Sequence, residues 1–142
     1  MASPKRSWAP TPPQHEHGVE VLQQVRTEDV PRLTGGLPRV VAEIVRDLYA
    51  DPLIGEECDP EHVEIPLRDC RKVRFDESGY FRADEERPRG WRPEWRLVYR
   101  LEAGEVTVVA VVAISQRRAM LAYRLAKRRL DKRDGASPAS RR

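Results

Sequence analysis

The sequence is poor in cysteine and in aromatic residues, and it lacks any long hydrophobic run. Cys58 and Cys70 are its only cysteines, which favours reduced thiols in a cytoplasmic protein over a disulfide-rich secreted domain. The longest apolar run covers residues 106–114 and is too short to span a bilayer. Residues 1–13 are polar and rich in proline, so we expect no signal peptide and a soluble, cytoplasmic protein.

Charge, in contrast, is abundant: Asp, Glu, Lys and Arg make up 35% of the 142 residues. The net charge is only +3, but the two signs are separated along the chain. Residues 43–64 contain eight acids and one arginine, whereas residues 117–133 contain eight bases and one acid. This separation favours a polyanion as the partner of the basic end, although two solvated helix faces of opposite sign would give the same pattern.

The length of the chain suits one domain with a hydrophobic core. Residues 1–18 contain four prolines and no hydrophobic periodicity, and residues 134–142 are small or polar, so both segments are predicted to be disordered tails. His15 and His17 lie in the first tail, where histidines are more often incidental than metal ligands. The predicted domain covers residues 19–133.

Hydrophobic patterns within this domain predict an α+β fold. They indicate a strand over 19–25, a short helix near Asp29 and a stronger helix over 38–50. Three strands follow over 67–75, 95–101 and 106–114, the last two joined by a tight turn at Gly104. A final helix covers 117–133. The expected architecture is a small, mostly antiparallel sheet with two N-terminal helices and one C-terminal helix.

Alternation of side chains along the strands brings several bases together. Lys72 and Arg74 point away from the apolar face of their strand, as Arg96 does in the next strand. If the two strands pair, these three side chains share one surface. Arg117 comes just after the last strand, and Tyr123 follows six residues later in the final helix. The pattern predicts an anion-binding site with one aromatic residue.

Three segments resemble, in their order and spacing, the RelE/ParE superfamily of type II toxins. They are “VVAEIVRDLYADPLIG”, “LRDCRKVRF” and “WRLVYRLEAGEVTVVAVVAISQRRAMLAYRLAKRRL”, and the resemblance extends over residues 19–130. It implies a RelE-like fold. RelE-like members of the superfamily cleave messenger RNA in the ribosomal A site, whereas ParE-like members inhibit DNA gyrase and are not nucleases. Residues 76–94 depart from the family, which usually has a short turn there.

The resemblance to the RelE-like branch implies a set of catalytic positions, and all of them hold suitable residues: Lys72, Arg74, Arg96, Arg117 and Tyr123. Further bases on the final helix are predicted to bind RNA: Arg118, Arg124, Lys127 and Arg128. The implied partners are a cognate antitoxin protein, the ribosome and messenger RNA. Neither a metal nor another cofactor is expected.

The implied chemistry is attack of a ribose 2′-hydroxyl on the adjacent phosphate. Negative charge builds on the phosphate oxygens, and Arg96 and Arg117 are assigned to stabilise it. The base would come from Lys72 or Tyr123, whose loss of a proton the surrounding cations must favour. Arg74 stands where the resemblance implies a lysine as the acid for the leaving group. Since arginine is a poor proton donor, phosphate binding is the stronger assignment for Arg74.

Two alternatives belong to other functional classes. One is a ParE-like protein that inhibits gyrase without being an enzyme, and the other is a basic RNA- or protein-binding module that has lost catalysis. Taken singly, each of the five residues is more simply an ordinary strand or helix residue. The complete set favours the nuclease, because binding to gyrase does not require it.

Overall fold

Six strands of the described residues form one sheet. The structure is a computed structural model and describes residues 18–58, 67–103 and 108–136. The strands are β1 (Gly18–Val21), β2 (Glu56–Glu57), β3 (Cys70–Asp76), β4 (Gly79–Tyr80), β5 (Trp95–Glu102) and β6 (Val108–Gln116). Their spatial order is β1-β6-β5-β3-β2, and β4 pairs with the end of β3. Among these six strands only β1 and β6 pair in parallel, so the sheet is mostly antiparallel, as predicted.

Two longer helices and three short helical turns accompany the sheet in the described part of the chain. Helix α1 covers Leu37–Ala50 and helix α2 covers Leu121–Ala136. The turns lie at Val25–Asp29, Val30–Arg32 and Arg118–Met120. Proline in the first turn of α1 needs no N–H partner, and the extended residue Asp51 before Pro52 ends the helix. These elements confirm the predicted α+β class.

The two helices cover opposite faces of the sheet. The Tyr80 hydroxyl donates to Asp47 of α1, and Tyr80 pairs directly with Phe75 of β3, so Phe75 faces α1. Lys72 has the opposite parity along β3, and its ammonium lies over the ring of Tyr123 in α2. The alternate residues of β3 therefore face different helices, and the bases predicted to share a surface face α2.

The core lies on both sides of β6, whose residues 109–113 are fully buried. Helix α1 contributes a stripe of fully or almost fully buried side chains: Val40, Val41, Ile44, Val45 and Leu48. Helix α2 contributes Ala122, Ala126 and Leu130, which lie four residues apart on one side of the helix. The two alanines let α2 approach the sheet closely, so a residue in its first turn can reach side chains on β3 and β5.

A buried ion pair joins the N-terminal turns to α2 and to the centre of the sheet. Arg129 Nη1 lies 2.6 Å from Asp29 Oδ2, and Arg129 Nη2 lies 2.8 Å from Asp29 Oδ1. Asp29 also accepts a hydrogen bond from the Ile114 backbone N–H, and Arg129 donates another to the Val112 carbonyl. Val112 is a bulged residue of β6 without a partner in β5, and this irregularity makes room for the pair.

A second ion-pair network lies on the surface and connects β1, β5 and α2. Arg100 Nη2 lies 2.6 Å from Glu102 and 2.8 Å from Asp134, while Arg133 Nη2 lies 2.9 Å from Glu102 and 2.8 Å from Glu20. Burial raises the pKa of Glu102, but hydrogen bonds from Arg133 and Arg100 outweigh it and leave the pKa below its ordinary value. The network therefore stabilises the ionised form of Glu102.

The loop that follows α1 closes on Tyr99. The Gly55 N–H donates to the Tyr99 hydroxyl at 3.0 Å, and this hydroxyl donates to the Pro52 carbonyl at 2.7 Å. Burial raises the pKa of Tyr99 to about 12. A Cβ at position 55 would lie 2.8 Å from the Lys72 carbonyl and 2.9 Å from the Tyr99 hydroxyl, so only glycine fits. The “DPLIG” and “WRLVY” segments of the resemblance thus meet in a structural contact.

The first strand is shorter than predicted. The strand expected over 19–25 ends at Val21, because the chain turns at Leu22. The Leu22 carbonyl accepts hydrogen bonds from the N–H groups of Val25 and Arg26 and starts the helical turns. Gly18, assigned to the N-terminal tail, begins β1; the rest of that tail, 1–17, lies outside the described residues.

The final helix lies further along the chain than predicted. It begins at Leu121 instead of residue 117, because the chain first forms the short turn Arg118–Met120. It continues beyond residue 133 to Ala136, because Asp134 in its last turn pairs with Arg100. The rest of the predicted C-terminal tail, 137–142, and Gly104 of the predicted hairpin turn lie outside the described residues. Within the residues that are described, no helix has the length and apolar character needed to cross a membrane.

Candidate functional site

The antiparallel pairing of β3 with β5 brings the predicted bases onto one surface. Arg74 is directly opposite Arg96, and Lys72 is opposite Val98, which lies two residues further along β5. All three basic side chains therefore project from the face that α2 covers. Like charges placed directly opposite each other destabilise a sheet, so this pair of arginines favours a nearby anion.

Helix α2 adds the aromatic residue to this surface. Lys72 Nζ lies 5.6 Å from the centre of the Tyr123 ring, within the range of a cation–π contact. Tyr123 also lies close enough to Arg96 to counteract the lowering of the Arg96 pKa by burial. Tyr123 thus neighbours both the Lys72 ammonium and the Arg96 guanidinium.

Arg96 is a buried cation held by backbone carbonyls. Its residue is 8% exposed, and its Nη1 donates to the carbonyls of Pro93 at 2.9 Å and Trp95 at 3.0 Å. Among the described residues its Nε has no hydrogen-bond partner. Burial lowers the pKa of Arg96, interaction with Tyr123 opposes this, and the charges of Arg74 and Arg117 lower it further. An anionic ligand at this position would compensate a charge that the described chain leaves without a carboxylate.

Arg117 lies at the open side of the site. Its side chain is exposed and makes no ion pair with the described residues, yet it is close enough for its charge to lower the pKa of Arg96. Its backbone N–H donates to the Glu94 carbonyl at 2.8 Å, which fixes the chain just after β6. The structure therefore brings all five predicted catalytic residues to one place, four of them half-buried or buried and Arg117 in solvent.

Arg74 differs from the other four because a carboxylate already binds it. Arg74 Nε lies 3.0 Å from Glu56 Oε1, and Arg87 Nη2 lies 3.1 Å from Glu56 Oε2. The Arg74 guanidinium also lies 6.0 Å from the centre of the Trp91 ring. This environment suits a side chain that binds an anion, and an arginine is a poor proton donor.

Residues 76–94 are not a loose loop. Strand β4 pairs with β3, and the Ala83 N–H donates to the Ile54 carbonyl at 2.8 Å. The Trp91 indole donates to Asp76 at 3.0 Å, and its ring meets Phe81 edge-to-face at 4.9 Å between centroids. The segment thereby holds Arg87 and Trp91 against Arg74, and its Pro93 carbonyl orients Arg96.

The basic residues of α2 and of the turn before it differ in whether they form ion pairs. Arg118, Arg124 and Arg128, predicted to bind RNA, are exposed and make no ion pair within the described chain. Lys127, also predicted to bind RNA, is bound to Asp131 at 2.6 Å. Other bases of residues 117–133 point inward, since Arg129 and Arg133 belong to the two ion-pair networks. The basic surface is therefore narrower than the sequence suggests.

Sequence reasoning missed Glu56, Arg87 and Trp91. Glu56 lies on a strand of only two residues, which is too short to show alternation of polar and apolar side chains. The surrounding acidic stretch has the composition of a solvated loop. Trp91 offered a signal, because a tryptophan in a long polar segment is costly to leave in water. No sequence signal distinguishes Arg87, since residues 82–92 contain several arginines that are equally plausible anion-binding residues.

A solved structure supports the fold class. The chain superposes on the structure of the E. coli toxin RelE, a double arginine-to-alanine mutant in the free state, with a TM-score of 0.52. The match covers 82% of this chain and 99% of RelE at 18% sequence identity. No protein-family model matches the chain, and no curated protein matches its sequence. The protein thus has a RelE-like fold, as the resemblance implied.

Proposed function

We propose that the protein is the toxin of a type II toxin–antitoxin pair and cleaves messenger RNA on the ribosome. The observation that carries the proposal is the convergence of Lys72, Arg74, Arg96, Arg117 and Tyr123 on the sheet face beside the start of α2. The RelE-like fold agrees with it. The partners in this proposal are a cognate antitoxin, the ribosome and messenger RNA, and the protein acts in the cytoplasm.

The proposed reaction is transfer of the phosphate from the leaving 5′-oxygen to the neighbouring 2′-oxygen. Tyr123 or Lys72 takes the proton of the attacking 2′-hydroxyl, while Arg96 and Arg117 stabilise the charge that builds on the phosphate oxygens. The bond from phosphorus to the 5′-oxygen breaks, and the leaving 5′-oxygen takes a proton from water. Arg96 suits this role because its carbonyl partners fix the guanidinium in advance. Arg74 binds phosphate, and the exposed arginines of α2 bind ribosomal RNA.

Two other functions remain to be separated by experiment: gyrase inhibition and binding without catalysis. Neither explains why two arginines face each other across neighbouring strands with a lysine and a tyrosine beside them. A surface that binds a protein partner is stabilised by complementary contacts and does not require uncompensated cations in a half-buried site.

The test is induced expression of the full chain without a partner protein. Translation, replication and the integrity of transcripts are measured in parallel over the first minutes. We expect translation to stop first, with new 5′ ends only within translated regions. Arrest of replication with intact transcripts would establish gyrase inhibition instead. A chain that cuts no message, in cells or on programmed ribosomes, would leave only the binding module.

A further inference from the structure

The Glu56 carboxylate occupies a place between two guanidinium groups. One oxygen lies 3.0 Å from Arg74 Nε and the other lies 3.1 Å from Arg87 Nη2. A third distance, 3.4 Å, joins Arg74 Nη2 to the second oxygen. Arg74 thus contacts both oxygens of the carboxylate and Arg87 contacts one of them, and guanidinium groups bind the non-bridging oxygens of a phosphodiester in a similar way.

The backbone segments that carry the two arginines are held independently of Glu56. Arg74 is fixed by its pairing opposite Arg96 and by the ring of Trp91, which Asp76 and Phe81 hold in turn. Arg87 belongs to the segment that β4 and the Ala83 hydrogen bond attach to the rest of the fold. Removal of the Glu56 charge would therefore leave two guanidinium groups on fixed segments with no anion between them.

We propose that Arg74 and Arg87 form a second phosphate-binding subsite for single-stranded RNA, which the Glu56 carboxylate occupies in the free protein. Glu56 acts as an internal competitor that an RNA phosphate must displace. The nucleotide bound there lies next to the scissile phosphate held by Arg96, because Arg74 and Arg96 are direct neighbours across β3 and β5. Trp91 offers its ring to the adjoining base.

This inference rests on RNA being the ligand of the proposed function, but it does not require cleavage. Binding is therefore measured with a short single-stranded RNA that carries 2′-O-methyl groups and cannot be cut. The full chain is titrated into the labelled RNA, and fluorescence anisotropy is followed at several salt concentrations. If the protein binds this RNA but does not cleave messenger RNA, the proposed function is contradicted, while the subsite can still be tested by binding.

The first comparison replaces the competitor. E56Q should bind the RNA about fivefold more tightly than the wild type, the order of magnitude of one partly exposed ion pair. E57Q removes the same charge one residue away, where the carboxylate is 80% exposed and 3.7 Å from Arg71. We expect E57Q to change binding by less than about twofold, since only long-range charge is altered. Equal effects of the two variants, or weaker binding by E56Q, would overturn the proposal.

The second comparison removes the subsite. R87A should weaken binding and lower the slope of log K against log salt by about 0.7, the value for one contact to a single-stranded phosphate. R89A is the matched control, because Arg89 is exposed in the same segment and has no ion pair among the described residues. If E56Q does not fold, as judged by its melting curve, the Arg87 pair decides alone. Equal losses in R87A and R89A then contradict the subsite.

Discussion

Arg96 donates to the carbonyls of Pro93 and Trp95 and is thereby oriented before any ligand arrives. A solvated arginine would lose side-chain entropy on binding a phosphate, whereas most of this loss has occurred during folding. The same contacts connect Arg96 to the segment 76–94, which supplies Pro93. Cleavage should therefore be more sensitive to Arg96 than to any exposed arginine of α2.

Substitution of either arginine of the clamp should slow the chemical step. Arg96→Ala or Arg117→Ala should lower the single-turnover cleavage rate on programmed ribosomes by roughly a hundredfold, which corresponds to about 3 kcal/mol. Ribosome binding should persist, because the exposed bases of α2 remain. Arg46→Ala is the control, because Arg46 is exposed on α1, on the opposite face of the sheet. This variant should cleave at the wild-type rate. A wild-type rate in Arg117→Ala as well would contradict its role.

Arg74→Lys separates phosphate binding from proton donation. Lysine keeps the charge but cannot contact two phosphate oxygens and the face of Trp91 at once, as the planar guanidinium can; its contacts with Glu56 show this geometry. We therefore expect cleavage to fall about tenfold, the effect of losing roughly 1.4 kcal/mol of transition-state stabilisation. If the rate holds or rises instead, position 74 supplies the acid. The rates are compared at saturating ribosome concentration, so that altered affinity does not enter.

Gly55→Ala should destabilise the protein. The added Cβ would lie 2.8 Å from the Lys72 carbonyl, so the loop must move away and its hydrogen bonds with Tyr99 must lengthen or break. We expect a loss of about 2 kcal/mol in the free energy of unfolding, measured by urea denaturation. Gly18→Ala is the control, because a Cβ there meets nothing within 4 Å. Similar losses in both variants would exclude the steric explanation.

The strands and helices show which parts of the fold follow from local sequence. Helix α1 was predicted within one residue of its start, since its apolar stripe, its proline and its terminal “DP” all agree. The parity of β3 and β5 was also predictable, because period-two alternation survives in both strands. The RelE-like architecture followed from the resemblance and is confirmed by the fold.

Other features depend on contacts between distant residues and leave no local pattern. Asp29 and Arg129 read as an ordinary acid and an ordinary base, yet they bury each other across 100 residues of sequence. The continuation of α2 beyond Gly135 depends on the partner of Asp134 in β5. The role of Glu56 depends on a strand of two residues. In each case a partner far along the chain, rather than local propensity, determines the outcome.

The surface network between β5 and α2 should contribute stability that acid removes. The pKa of Glu102 is lowered in the folded protein, so its contribution is complete above the ordinary glutamate value of 4.5 and is lost as the pH falls through the folded pKa. Glu102→Gln should therefore reduce the free energy of unfolding by about 1 kcal/mol at pH 7 and by much less at pH 3. Urea titrations at both pH values measure the difference. Glu43→Gln, which breaks only an exposed pair within α1, should have little effect at either pH.

The pair between Asp29 and Arg129 also bears on the time at which a newly made chain completes its fold. Asp29 is synthesised early, and its carboxylate has no buried counter-charge until Arg129 has left the ribosome. β1 likewise cannot pair until β6 has been synthesised, and the proposed site is incomplete until Tyr123 has been added. A growing chain should thus stay unfolded until α2 has emerged. Arrested nascent chains should resist protease only when α2 is fully emerged, and Arg129→Met should keep even the emerged chain sensitive. Protection before α2 emerges would show that the N-terminal half closes without its partner.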